Sequence, residues 1–290
     1  MVSALDMRLV ESALQGFTIP PQPQVLHLIQ QQLNVESPDL NRIATLIAHD
    51  IGTAGFTLKV VNSAFFGLRT KITSVERACR YLGLNRVVML ARSVLLRFTL
   101  DDGRTNSFSH KLWNNALHTA SLAMALAKQL NFDQQFQDDC YSLGLFRNAG
   151  MALIYQQNTQ YPALIQQGLM QQHGYSHIEE QLFQTSHEVL GYLIAESWGL
   201  TDTLCNVIAY HHSPALLLAT DNIEEHQRFA LLKIAEYLSG ESRHLFKVNL
   251  DPEWQQQQSS IMEVLELEPL QLPELAEMLH RQELRTIYSL

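Results

Sequence analysis

The sequence predicts an all-α protein, and three observations carry that prediction. Apolar residues recur at helical spacing along most of the chain. Proline-marked helix starts recur, with a capping side chain at Ser37-Pro38 and Asp251-Pro252 and without one at Leu272-Pro273. No segment alternates apolar and polar residues as a half-buried strand would. With 290 residues, 46% apolar and 17% charged, the chain has the composition of a soluble globular protein and ample length for a core.

The elements follow in order. Ile19-Pro20-Pro21-Gln22-Pro23 is a stiff entry, because proline fixes φ and removes donors. Val25, Leu28, Ile29 and Leu33 then share a helical face. Ser37 is expected to cap the next helix, with Pro38 at its first position and a stripe of Leu40, Ile43, Leu46 and Ile47. Asp50 caps the helix through Phe56, Val60 and Val61, which ends in Asn62-Ser63-Ala64-Phe65-Phe66-Gly67. Thr73-Ser74-Val75-Glu76 reads as a capping box with Thr73 as the cap. Its helix buries Val75, Ala78, Cys79 and Leu82 and stops at Gly83. Asn85 opens another, with Val87, Leu90, Ala91, Val94 and Leu95 inside.

The polar stretch Asp101 to Ser109 is the expected boundary between two helical lobes. Beyond it, Trp113, Ala116, Leu117, Ala120, Met124 and Ala127 form a long stripe with His118 beside it. A helix over 139–154 carries the central stretch Leu143-Gly144-Leu145-Phe146-Arg147-Asn148-Ala149-Gly150, whose apolar run is broken by a cation and an amide. A helix over 187–198 shows His187, Leu190, Gly191, Ile194 and Trp198 on one face. Leu204, Val207, Ile208 and His211 share the next, which Pro214 ends. Leu231, Ile234, Ala235 and Leu238 mark a further packing helix, and Leu275, Met278 and Leu279 the last one. The expected division is an N-terminal lobe over 1–105, a second lobe over 106–245 and an acidic extension over 246–290.

Charge excludes some functions. The net charge is −9, of which residues 251–290, with eight acids and two bases, carry −6. That balance, without a basic stripe, speaks against nucleic acid. No apolar run nears the ~20 residues that span a bilayer, and residues 1–11 lack a signal core. Cys79, Cys140 and Cys205 are too scattered for a disulfide framework or zinc ribbon and read as buried thiols of a reducing compartment. A cytoplasmic location is expected.

Several motifs together resemble the HDOD family, the HD-related output domain. They are Ile19-Pro20-Pro21, the Ala48-His49-Asp50 step, Asn62-Ser63-Ala64-Phe65-Phe66-Gly67, and Ile72-Thr73-Ser74-Val75 through Leu82-Gly83. The resemblance covers about residues 15–240 and implies an all-helical, two-lobed HD-like fold, often the output part of bacterial signalling proteins. The second lobe is similar to the HD phosphohydrolase superfamily, in which His and Asp from several helices hold one or two metals. His118 matches the first histidine of that pattern, and His187 and the His211-His212 pair match later ones. Arg147-Asn148 falls where the His-Asp pair belongs.

That departure decides the expected chemistry. A guanidinium has donors only and cannot bind a cation, and an amide oxygen is a weak neutral ligand. No catalytic metal, catalytic residue or cofactor is therefore expected. Taken singly, His118 reads as a hydrogen-bonded core histidine. His187 either begins its helix or faces a pocket. His211 and His212 either mark a helix end, where imidazolium suits the dipole, or line the same pocket. Arg147 pairs with an acid such as Asp138 or Asp139. Asn62 and Ser63 bond backbone at a turn. A sharper reading has Arg147, Asn148, His118, His187, His211 and His212 binding a small anionic or phosphorylated ligand without hydrolysing it. The expected function is a non-catalytic signalling module acting through protein partners. The competing one is a metal-dependent phosphohydrolase with a rearranged set of His118, His187, His211 and His212.

Overall fold

A computed structural model describes residues 6–62, 68, 70–101, 107–171, 173–249 and 251–287. Among them are eighteen helices and no strand. The chain packs as two compact units. One comprises Met1–Pro21 with Leu100–Leu275, the other Gln22–Thr99 with Ala276–Leu290. No described helix is long and apolar enough to cross a membrane.

The chain opens with α1 (Met7–Gly16), which belongs to the larger unit. The smaller unit is built on α2 (Gln24–Leu33), α3 (Leu40–His49), α4 (Ile51–Val61), α5 (Val75–Leu82) and α6 (Leu84–Leu100). Helix α3 packs against α2, α4 and α5, burying Ile43 and Ile47. Two caps differ from expectation. Asp39, not Ser37, caps α3, accepting from the Asn41 amide at 2.8 Å. Ser74, not Thr73, caps α5, accepting from the Arg77 amide at 3.2 Å, so Glu76 sits too early to close a capping box. On α2, Leu26 and Ile29 are buried and Leu28 is exposed, a face rotated from the expected one.

Asp50 caps α4 as expected, accepting from the Thr53 amide at 2.6 Å. Asn62 ends it with a backbone clamp. Its amide nitrogen donates to the Leu58 and Ile72 carbonyls, both at 2.7 Å, and its oxygen accepts from the Ile72 amide at 2.7 Å. The neighbouring Ser63 to Gly67 lie outside the described residues. Helix α5 buries Val75, Ala78, Cys79 and Leu82, and Gly83 ends it at φ 79°.

The larger unit continues with α7 (Ser107–Gln129), α8 (Gln134–Phe146), α9 (Ala149–Gln157), α10 (Tyr161–Met170), α11 (Tyr175–Phe183) and α12 (His187–Ser197). It goes on through α13 (Asp202–Tyr210), α14 (Pro214–Leu218), α15 (Ile223–Ser239), α16 (Glu241–Phe246), α17 (Pro252–Val264) and the start of α18 (Gln271–Ile287). Pro214 both ends the turn after α13 and opens α14. Asp251 caps α17 through the Trp254 amide at 3.0 Å.

Two glycines set the spacing around the centre of this unit. A Cβ on Gly144 would stand 2.5 Å from the Ala120 Cα, so α8 lies backbone-to-backbone on α7. One on Gly150 would stand 2.2 Å from the His187 carbonyl oxygen, so α9 lies equally close to α12. The single helix expected over 139–154 is in fact two. The chain bends at Arg147-Asn148, where Asn148 leaves helical geometry at φ −102° and ψ 13°. The bend releases the Gly144 carbonyl from the helix ladder, and the Arg147 Nη1 takes it up.

Candidate functional site

Arg147 is wholly buried, and both its Nη atoms donate inside the protein. Nη1 donates to the Gly144 carbonyl, and Nη2 to Asn115 Oδ1 and Thr119 Oγ1, both at 3.0 Å, and to Glu241. Nε lies 2.9 Å from Glu236 Oε1, an ion pair not aligned as a hydrogen bond. Asn148 Nδ2 donates to the second Glu241 oxygen at 2.8 Å. The expected acids, Asp138 and Asp139, are not the partners; Asp139 pairs with Arg228 at 2.9 Å. The physical reason is the bend, which turns Arg147 towards α7, α15 and α16 instead of along its own helix.

The network runs on from there. Lys233 lies 2.6 Å from Glu236 Oε2 and 3.2 Å from Glu253 Oε2. Burial would strip the proton from Lys233, but the two carboxylates outweigh that and hold it charged. Glu253 also accepts from His212 Nδ1 at 2.6 Å. Burial raises the Glu236 pKa, opposed by Lys233 and Arg147. Buried charges persist only when paired in this way.

Three imidazoles gather beside it. His187 starts α12 after the Ser186 cap, and His211 and His212 end α13. The His187 and His211 Nε2 atoms are 3.3 Å apart, and Tyr175 stacks on His212 with ring centroids 4.8 Å apart. His187 Nδ1 lies 2.7 Å from Glu179 Oε2, whose other oxygen accepts from the Tyr161 hydroxyl at 2.5 Å. Burial pulls the His187 pKa down, but Glu179, with Glu188 and Glu241, outweighs it and lifts it to about 9. Burial, together with neighbouring cations, drives the His211 and His212 pKa values well below the usual one. They are neutral rings, so the expected imidazolium at a helix end is not what they supply.

Glu188 is raised to about 7, chiefly by burial, against the pull of His187. Both its oxygens accept from the Ser176 hydroxyl, at 2.8 and 2.9 Å. Among the described residues, two groups bring possible metal-ligand atoms within 4.8 Å of one another: His187, His211 and His212, and Glu179, His187 and Glu188. The second is already satisfied by Tyr161, Ser176 and the His187 amide, which donates to Glu179 at 2.7 Å.

The expected site residues therefore separate. His187, His211 and His212 come together, and Arg147 and Asn148 join them through Glu241, Glu236, Lys233 and Glu253. His118 is half-buried on α7 and belongs to neither ligand group. Asn115 and Thr119, on the same helix, are the residues that reach Arg147. An anion at Arg147 would meet a charge that the Glu241 and Glu236 carboxylates already neutralise. The divalent ion that the HD resemblance places at the His-Asp pair does not fit Arg147-Asn148 either, since a fixed cation occupies that place.

Comparison with known proteins follows the same lines. Residues 19–214 match the HDOD domain. This chain is a member of the HDOD family. A relative from Treponema pallidum (strain Nichols), itself uncharacterized, is 30% identical over 202 residues, 67% of this chain and 38% of its own length. The HDOD chain thus spans well under half of that relative. An HDOD domain protein of unknown function from Geobacter sulfurreducens shares the fold at TM-score 0.68 and 21% identity, covering 93% of this chain and 98% of its own. A protein from Marinobacter aquaeolei, provisionally named for signal transduction, matches at TM-score 0.69 and 21% identity over 98% of this chain and 65% of its own. One from Shewanella amazonensis, provisionally named a metal-dependent phosphohydrolase, matches at TM-score 0.64 and 16% identity over 90% and 91%.

Sequence reasoning missed Lys233, Glu236, Glu241 and Glu253, all of which lie beyond the matched HDOD segment. A signal was present. Lys233 and Glu236 interrupt the otherwise apolar stretch from Phe229 to Leu238 that also holds Tyr237, where a buried charge has to find a partner. Asn115 and Thr119, four residues apart, likewise interrupt the α7 stripe.

Proposed function

We propose that this HDOD protein is a non-catalytic output module of bacterial signal transduction that acts through protein contacts. One observation supports this above the others. At the place of the superfamily's metal-binding His-Asp pair stands an arginine that is buried, ion-paired to Glu241 and Glu236, and bonded to Asn115, Thr119 and the Gly144 carbonyl. A guanidinium so engaged activates no water and polarises no phosphate. Its role is to tie α7, α8, α15 and α16 together. The Marinobacter neighbour's provisional name is in keeping with this reading, and the Shewanella neighbour's is not.

The test is an assay of the purified protein against bis(p-nitrophenyl) phosphate and linear and cyclic dinucleotides, with manganese, nickel or ferrous iron supplied. No turnover above the metal-only blank is expected. Metal-dependent turnover that His187→Ala abolishes would refute the proposal and restore the phosphohydrolase.

A further inference from the structure

The outermost link of the ion network comes from the acidic C-terminal extension. Glu253 stands in the first turn of α17, and its Oε2 accepts from His212 Nδ1 at 2.6 Å and from Lys233 Nζ at 3.2 Å. The next residue, Trp254, stacks on Tyr237 of α15, with ring centroids 4.4 Å apart and planes 14° from parallel. Burial falls off outward across this contact. The Lys233 and His212 side chains are 5% and 4% exposed, and Glu253 is 18%. Glu253 and Trp254 thus cover an ammonium, an imidazole and one face of an aromatic ring.

Helix α17 is lightly held. Only Trp254, Ile261 and Met262 of its thirteen residues are buried, against eleven of seventeen in α15, the helix it leans on most. Its closed position leaves two buried polar atoms, Gln257 Oε1 and His212 Nε2, without a hydrogen-bond partner, which water supplies on opening. Lys247, just after α16, and Glu266, just beyond α17, hold left-handed backbone at φ 59° and 54°. Helix ends of this kind usually take glycine, and a larger residue there is strained. The strain brackets α17 on both sides. Opening also strands no cation. Lys233 keeps Glu236 at 2.6 Å, His212 is a neutral ring that needs no counter-charge, and the Glu253 carboxylate passes into water.

We propose that α17 is a lid, latched by Glu253 and Trp254, that opens as a unit and uncovers the surface formed by Lys233, His212 and Tyr237. Elements with few buried apolar contacts open locally at free energies below that of global unfolding. The lid makes access to that surface conditional on the release of one carboxylate and one ring. The inference does not rest on the non-catalytic reading, since the latch residues take no part in it.

The experiment is hydrogen–deuterium exchange of the full chain, read by mass spectrometry. The α17 amides are expected to exchange together and well ahead of those of the buried α15 stretch Phe229–Ala235. Glu253→Gln keeps the size of the latch and removes its charge. It is expected to speed α17 exchange roughly 10- to 100-fold, through the loss of two charge-assisted contacts, and to leave the α15 stretch at its wild-type rate. Should that variant not fold, Tyr237→Ala removes the stack from a position that is 42% exposed and is expected to have the same selective effect. Exchange of α17 in step with α15, or a variant that speeds both helices alike, would overturn the proposal.

Discussion

Replacing Arg147 by Ala tests whether the guanidinium is a structural tie. The substitution leaves Glu241 and Glu236 buried without their shared cation, and strands Asn115, Thr119 and the Gly144 carbonyl. Removing one partner of a buried ion pair costs about 3–5 kcal/mol, because the remaining charge is uncompensated. Lys233 still faces Glu236, so the cost falls mainly on Glu241. For a unit of this size each kcal/mol lowers the melting temperature by about 2–4 °C, which predicts a drop of roughly 6–20 °C. The assay is thermal and urea unfolding followed by circular dichroism. Arg147→Met combined with Glu241→Gln is expected to recover much of the loss, since a neutral replacement of the whole pair avoids the stranded carboxylate. A loss under about 1 kcal/mol for Arg147→Ala would refute the reasoning. It would mean that water or a ligand reaches the carboxylates, and that Arg147 is free to bind something else.

Two further predictions concern packing and pH. Gly144→Ala puts a Cβ 2.5 Å from the Ala120 Cα, a backbone atom that cannot rotate aside, so α7 and α8 must separate. A loss of about 1–3 kcal/mol in urea unfolding is expected despite alanine's better helix propensity. Gly16→Ala, with nothing within 4 Å of its Cβ, is expected to be neutral or slightly stabilising; equal losses at both positions would contradict the close approach. Hydrogen bonds from Thr53 lower the Asp50 pKa below the usual 3.8. A depressed carboxylate contributes its stability above the unfolded pKa and loses it as pH falls through the folded one. Between pH 6 and 3 the wild type should therefore lose more urea resistance than Asp50→Asn, and parallel slopes would count against the cap.

The all-helical fold and most of its helices were legible in the sequence, because amphipathic spacing, caps and prolines act within a few residues. So were the cap at Asp50, the stop at Gly83, the start of α12 at His187 and the backbone clamp by Asn62. The pattern could also say that Arg147 and Asn148 stand in an apolar run and that His187, His211 and His212 share buried faces. What it could not supply was partners. Asp39 took the cap from Ser37, and Ser74 took it from Thr73, because a cap is chosen by where the first turn closes. Arg147 found Glu241 and Glu236, more than eighty residues away, only because the chain bends after α8, which lies against α7 and α15, while α16 lies against α7. Local chemistry thus determined which residues had to be satisfied. Tertiary packing decided what satisfied them, since a buried charge is neutralised by whatever the fold brings within about 3 Å, and sequence distance does not enter that choice.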